Sequence, residues 1–331
     1  MTQSEAFAAK PRKLIAERAK ILANLSASDR LFFWITRAAA VAVLLLLGGI
    51  IVSLIIGAWP AISQFGFKFL WTQRWAPQLD EPVLGALAPI YGTLLSSFIA
   101  MLIAVPFGLG IAIFLTELCP MPLRRPIGMA IELLAGIPSI IYGMWGFFVL
   151  GPFLANTFEP ALIAIFADVP VLNSVFAAPA SNLSLFNASL ILAIMVLPFI
   201  TAISVDVFKT VPSVLKESAY GIGCTTWEVV KNIVLPFTRV GLVGGVMLAL
   251  GRALGETMAV TFIIGNSFKI SGSLFAPGTT ISAAIASEFA ESSGVHQSAL
   301  ILLGLLLFVL TFIVLSAARL MLMRIEKRAG K

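Results

Sequence analysis

The sequence predicts an all-α membrane protein that crosses the bilayer six times. Of its 331 residues, 59% are hydrophobic and only 11% are charged, and the mean hydropathy is +1.02. Apolar stretches of about 20 residues, long enough to cross a bilayer as helices, recur along the chain. A soluble domain contains roughly 25% charged residues, so a soluble fold of this composition would leave large apolar patches in water. Soluble fold classes are therefore excluded.

Apolar windows of about 20 residues locate the six spans. The predicted spans are residues 32–58, 87–115, 127–154, 186–208, 236–265 and 298–322. The segment 155–185 is weakly apolar and interrupted by prolines, which leaves open a seventh span or a re-entrant segment. The first apolar segment is too long for a signal-peptide core and lacks a small-residue cleavage site, so we expect it to remain as a span.

The distribution of lysine and arginine predicts that both termini lie in the cytoplasm. With that orientation, eighteen of the 22 basic residues fall on the inner side, as the positive-inside rule requires. The outer loops then hold only Lys68, Arg74 and Lys269. The predicted organisation is a basic cytoplasmic arm (1–30), the first transmembrane helix with an extracytoplasmic loop (31–86), a core of five transmembrane helices (87–323) that includes a loop at 209–236, and a cytoplasmic tail (324–331).

The chain carries no motif of catalytic chemistry. It contains no Walker A pattern, no HExxH and no CxxC, and its single histidine is His296, whereas a hydrolytic or metal centre needs a cluster of such groups. We therefore expect neither an enzyme nor a metal site, and no cofactor bound by this chain. The basic residues lie beside apolar segments and not on one soluble face, which argues against nucleic-acid binding.

The inner loop between spans four and five carries a pattern of fixed spacing, E-x-A-x3-G-x9-I-x-L-P. It resembles the cytoplasmic EAA loop of permease subunits of binding-protein-dependent ABC importers. The resemblance implies a short coupling helix that contacts a separate ATPase subunit, and the alternative is an ordinary amphipathic connector. The anchor positions are Glu217, Ser218 (in place of the first alanine), Ala219, Gly223, Ile233, Leu235 and Pro236.

Two further stretches narrow the resemblance. ELLAGIPSIIYG (132–143) and GRALGETMAV (251–260) are similar to the membrane subunits of the phosphate-specific ABC importer. The stretch GSLFAPGTTISAAIASEFAE (272–291) resembles the PstC-type subunit rather than the PstA-type one. The resemblance implies a MetI-like permease fold in the bacterial cytoplasmic (inner) membrane and the import of inorganic phosphate.

The same resemblance implies four kinds of partner. These are a second, PstA-type permease, a PstB-type ATPase dimer that binds the ATP and Mg, an extracytoplasmic PstS-type phosphate-binding protein, and the lipid bilayer. The nearest alternative is an importer of another oxyanion, such as sulfate or molybdate. A secondary transporter is a further alternative, for which internal inverted repeats and broken helices are expected.

Arg252 and Glu256 are charged residues expected in the middle of span five. Residues four apart share one face of a helix, and charges within membrane spans usually face a pathway or a bundle interior. We expect Arg252 to offer its fork of donors to phosphate oxygens and Glu256 to hold Arg252 between transport events. A self-satisfied ion pair is the alternative. The flanking Gly251 and Gly255 predict close helix packing.

Span three contributes the other candidates for the translocation path. Glu132 either pairs with Arg124 or Arg125 near the interface or lines the path. Pro138 removes a backbone hydrogen bond and predicts a kink, which either presents Ser139 and a freed carbonyl to the path or serves packing alone.

Overall fold

The computed structural model describes residues 3–166, 169–176 and 179–328. Within these ranges the chain is helical apart from loops and one isolated antiparallel bridge between Ala76 and Val83. The chain divides into two compact units, Met1–Ile56 and Gly57–Lys331. The predicted basic arm belongs to the first unit, where one helix continues from Gln3 through the first span.

The helices are numbered in chain order. The first four are α1 (Gln3–Phe65), α2 (Lys68–Trp71), α3 (Leu87–Leu118) and α4 (Met121–Ala135). The next four are α5 (Ser139–Phe166), α6 (Pro170–Phe176), α7 (Leu185–Lys209) and α8 (Ser213–Gly221). The last four are α9 (Thr226–Leu254), α10 (Met258–Ile264), α11 (Ile281–Glu288) and α12 (Gly294–Arg328).

Six of these helices are long and apolar enough to cross a membrane, which confirms the predicted six-span fold class. They are α1 (from Asp29), α3, α5, α7, α9 and α12 (to Met323). The described part of segment 155–185 holds the end of α5, the seven-residue α6 and a loop. It adds no seventh span within the described ranges.

The predicted start of span three at residue 127 is wrong. Helix α4 ends at Ala135, the backbone leaves the helix at Gly136–Pro138, and the spanning helix begins at Ser139. Pro138 has extended ψ (137°) and cannot donate a backbone hydrogen bond. The expected kink is therefore a complete break.

The predicted span five, 236–265, is also shifted. Helix α9 begins at Thr226, ten residues earlier, because Thr225 and Glu228 form a capping box. It ends at Leu254, and the short helix α10 starts only at Met258. The single predicted span is therefore two helices separated by Gly255–Thr257.

Prolines also shape the spans that remain continuous. Each π-helical turn in the described ranges ends two residues before a proline, so that the residue before that proline donates its N–H five residues back. Proline lacks an N–H and its ring collides with the carbonyl four residues earlier, and the wider turn relieves that collision. The four prolines are Pro120, Pro152, Pro160 and Pro236.

Helix α7 lies at the centre of the second unit. Its most apolar window is 61% buried, more than that of any other candidate span in the described ranges. Helix α9 approaches it closely at Gly241 and Gly245, where an added Cβ would lie 2.8 Å from Val207 and 2.6 Å from Ile203. Small residues at successive turns thus bring the two backbones together.

Candidate functional site

Arg252 lies in the last turn of α9, beside α7. Its side chain is exposed in the isolated chain, and its guanidinium carbon lies 6.0 Å from the ring centroid of Phe199 on α7. This distance is at the outer limit of a cation–π contact. The aromatic ring positions the guanidinium without using its hydrogen-bond donors.

Glu256 lies in the break between α9 and α10, and its side chain is half-buried. The prediction that Arg252 and Glu256 share one helical face is wrong, because the helix ends at Leu254 between them. In the described part of the chain no salt bridge joins the two side chains. The alternative of a self-satisfied ion pair therefore does not hold in this structure.

The segments that follow the two breaks pack against each other. Helix α5 begins after Pro138 with the half-buried Ser139, and an added Cβ at Gly143 would lie 3.0 Å from the Cα of Ala259 on α10. The Tyr142 hydroxyl donates to the carbonyl of Leu134 at 2.9 Å, which also accepts from the Ile137 N–H at 3.3 Å, so this bond connects α5 to the end of α4. The two candidate stretches, 132–143 and 251–260, are therefore in close backbone contact at Gly143 and Ala259.

Glu132 lies on a different helix from the other candidates for the translocation path. Its exposed side chain lies on α4, which is separate from the spanning helix α5. It lines a cavity of about 670 Å³ that also includes Arg124 and Arg125, but none of Ser139, Arg252 or Glu256. No salt bridge from Glu132 to either arginine occurs in the described ranges.

The two glycines predicted for helix packing differ. Gly251 packs on α12, where an added Cβ would meet Leu315 at 3.4 Å. In the described ranges an added Cβ at Gly255 would meet only the carbonyl oxygens of Gly251 and Arg252, and no neighbouring helix. The place of Gly255 after the last residue of α9 identifies it as the cap of that helix.

The predicted coupling residues occupy α8 and the start of α9. Ala219 is 5% exposed and packs in an apolar cluster with Phe208 and Val234, against which Ile233 and Leu235 also pack. Glu217 and Ser218 are exposed. Gly223 ends the turn after α8 with φ +92°, a conformation that glycine adopts readily.

Large apolar side chains are exposed on α8 and at the start of α9. Val214 (67% exposed), Ile222 (84%) and Trp227 (64%) point away from the chain. Ala219 therefore faces the interior of the chain, while the larger Val214, Ile222 and Trp227 face outward. Clustered large apolar side chains at a surface are typical of an interaction site.

A partly buried ion pair connects α8 to the end of α3. Lys216 Nζ donates to Glu117 Oε1 at 2.5 Å, and the two side chains are 20% and 6% exposed. The residues are 99 positions apart, so their charges alone did not predict the pair. It gives α8 a rigid connection to a membrane-spanning helix.

Two further polar clusters lie away from α8. Glu288 accepts a hydrogen bond from Trp75 Nε1 at 2.8 Å and contacts His296 Nε2 at 2.9 Å. Glu159 is fully buried at the far end of α5 and accepts from the Ser181 backbone at 3.0 Å. Both clusters connect loops to helices, and no sequence motif marks either.

Comparisons with known proteins relate the chain to transport permeases. A family model described as a binding-protein-dependent transport system inner membrane component matches residues 104–327. The chain is 64% identical over 304 residues to the phosphate transport system permease protein PstC of Mesorhizobium japonicum, covering 92% of each. It is 54% identical over 320 residues to PstC of Pasteurella multocida, covering 97% of this chain and 99% of that one.

A solved structure gives the same picture of the fold. It is the bacterial alginate ABC transporter in complex with an alginate pentasaccharide-bound periplasmic protein, with a TM-score of 0.56 and 16% identity. The match covers 88% of this chain and 95% of that one. At this identity the likeness shows the fold alone, that of an ABC-importer permease. The breaks at Gly136–Pro138 and Gly255–Thr257 therefore occur within an ABC-importer permease fold.

Proposed function

The chain belongs to the family of binding-protein-dependent transport system inner membrane components, and from that premise we propose that it forms part of the phosphate path of an ATP-driven importer. It is a multi-pass protein of the bacterial inner membrane and a transport subunit, not an enzyme. Inorganic phosphate as the substrate is supported by the relatives named above, which match nearly the full length of the chain.

The observation that carries the proposal is the state of Arg252. Its guanidinium is exposed, contacts only an aromatic ring, and forms no salt bridge with Glu256 in the described ranges. A guanidinium presents paired donors that match two phosphate oxygens. A single guanidinium on an exposed side chain attracts the anion without retaining it, and conduction requires sites that the ion can leave.

The remaining partners complete the importer. A second, PstA-type permease contributes the other wall of the path, and a PstS-type binding protein delivers phosphate from outside. A PstB-type ATPase dimer holds ATP and Mg and docks on α8. The outward Val214, Ile222 and Trp227 support this docking, because their exposed apolar surface is suited to a protein partner.

The test of the path residue is phosphate uptake by the four-component complex in proteoliposomes. We expect Arg252→Ala to abolish uptake while the complex still assembles, and Arg252→Lys to retain only part of it, since lysine offers no fork. Arg239→Ala is the matched control, because Arg239 is an exposed arginine on the same helix. Near-normal uptake by Arg252→Ala would contradict the assignment of Arg252 to the phosphate path.

The alternative oxyanions are tested with the same complex. We expect ATP hydrolysis to be stimulated by phosphate-loaded binding protein and uptake of labelled phosphate to persist in excess sulfate or molybdate. Competition by sulfate at equal concentration would favour the alternative importer.

The ion pair between Lys216 and Glu117 gives a separate test of coupling. Either single reversal, Lys216→Glu or Glu117→Lys, places like charges together at a partly buried site, so we expect uptake per ATP to fall about tenfold. The double exchange restores the attraction and recovers uptake. Exchanging the exposed pair Asp206 and Lys209, which are 3.1 Å apart, is the control and has little effect. Failure of the double exchange to recover uptake would mean that the pair does not transmit motion.

A further inference from the structure

A groove beside α8 is lined by charged and by apolar side chains. It measures about 670 Å³ and lies among the end of α3, helix α4, the end of α7 and α8. Residues 121, 124, 125, 128, 129 and 132 of α4 all line it, which is one helical face at the usual spacing of three and four residues. Gly128 leaves the middle of this face open, since nothing lies within 4 Å of an added Cβ.

The charges around the groove do not balance within the chain. Lys216 is paired with Glu117, and Lys209 with Asp206. Three ionisable groups that line the groove remain: Arg124, Arg125 and Glu132. In the described ranges neither arginine forms a salt bridge. The groove therefore has an excess of positive charge.

Arg124 is held in place by backbone oxygens. Its Nη2 donates to the carbonyl of Thr116 at 2.9 Å and, more weakly, to that of Cys119 at 3.5 Å. The Thr116 carbonyl lies four residues before Pro120, which has no N–H to donate to it. The Nε of Arg124 is buried without a partner in the described ranges. The guanidinium is thus held in place, and Nη1, which makes no hydrogen bond in the described ranges, is the donor left for an external anion, because the buried Nε cannot reach one.

We propose that this groove binds a phosphate group through Arg124 and Arg125. Guanidinium forks match the oxygens of a phosphate better than those of a spherical anion. The exposed apolar side chains of Met121 and Met129 also line the groove, and they suit the glycerol and acyl parts of a phospholipid. The two sources of this chemistry are the headgroup of an anionic phospholipid, for which basic pockets between membrane helices are known sites, and free inorganic phosphate. The site is separate from Arg252 and does not depend on the transport path proposed above.

The test uses the intact complex of two permeases and the ATPase dimer in detergent. In one arm, native mass spectrometry counts phosphatidylglycerol and phosphatidylcholine bound when both are added in equal amounts. In the other arm, inorganic phosphate is titrated calorimetrically without lipid, nucleotide or binding protein. The variants are Arg125→Gln and the double variant Arg124→Gln/Arg125→Gln. The control is Lys231→Gln, which removes an exposed charge of α9 outside the groove.

We expect the double variant to weaken phosphatidylglycerol binding about tenfold or more, because each basic residue near a lipid surface adds substantially to anionic lipid affinity. Loss of phosphate binding in the second arm instead identifies free phosphate as the ligand. Arg125 makes no side-chain hydrogen bond in the described ranges, so Arg125→Gln decides the matter if loss of the Arg124 contacts prevents folding. Equal binding by wild type, variants and control in both arms overturns the proposal.

Discussion

The two helix breaks of this chain, Gly136–Pro138 and Gly255–Thr257, are built differently. The first contains a proline, and the Tyr142 hydroxyl donates to a carbonyl at its edge. The second has no proline and carries Glu256, with Arg252 one turn before it. In the described ranges neither of these two charges has a salt-bridge partner.

The two breaks therefore differ in role: the first is a structural feature, and the second carries the candidate functional charges. The first break is closed by its own covalent geometry and hydrogen bonding, so it serves as a rigid support. The second leaves ionisable groups unpaired, which is costly inside a membrane unless a ligand or partner uses them. Because α5 and α10 touch at Gly143 and Ala259, we expect the first break to position the second.

The contact between α5 and α10 is tested most directly by forcing these two helices apart. Gly143→Leu places a side chain 3.0 Å from the Cα of Ala259 and 3.1 Å from Phe262, and overpacking of this kind costs about 1–3 kcal/mol. We expect a large loss of folded protein and of complex assembly, measured by size-exclusion chromatography. Gly110→Leu is the control, since nothing in this chain lies within 4 Å of its added Cβ. Equal yields for both variants would show that α5 and α10 need not touch.

Removing the charge of Glu256 tests the second break alone. Glu256 does not pair with Arg252 here. We therefore expect Glu256→Gln to reduce phosphate uptake per ATP by about tenfold or less, a smaller loss than that caused by Arg252→Ala. The measurement is labelled phosphate uptake together with ATP hydrolysis in proteoliposomes. A loss as complete as that of Arg252→Ala would indicate that the two side chains pair in another conformation of the transport cycle.

The smallest effect is expected at the first break. Tyr142→Phe removes the hydrogen bond to Leu134, which is worth about 1 kcal/mol, and should lower the melting temperature by about 2–4 °C. Uptake should remain close to normal, because the bond supports the break without contacting the ion. Tyr91→Phe is the control, since the Tyr91 hydroxyl makes no hydrogen bond in the described ranges. A strong uptake defect in Tyr142→Phe, with unchanged stability, would place Tyr142 in the path.

Proline positions account for much of the local structure that a sequence reader could have foreseen. The π-helical turns precede Pro120, Pro152, Pro160 and Pro236, and the first break contains Pro138. Yet Pro106 and Pro198 lie inside α3 and α7 without such a turn. A proline therefore marks a site where the helix must adjust, while the surrounding packing decides whether it bends, widens or breaks.

The second break had no comparable signal. GRALGETMAV contains glycines but no proline, and its apolar run continues to Gly265. A shared helical face for Arg252 and Glu256 was the natural expectation from spacing alone. The close contact between α5 and α10, which involves residues more than 110 positions apart, is not visible in either stretch by itself.

The sequence by itself determined the membrane class, the six spans and the family resemblance. The reason is that hydrophobic length and short motifs are local properties, and a bilayer accepts only helices of sufficient apolar length here. The tertiary structure decided which charges meet: Lys216 with Glu117, Arg124 with a freed carbonyl, and Arg252 apart from Glu256. Those outcomes depend on where helices end and on what packs beside them, and both are set by contacts between distant parts of the chain.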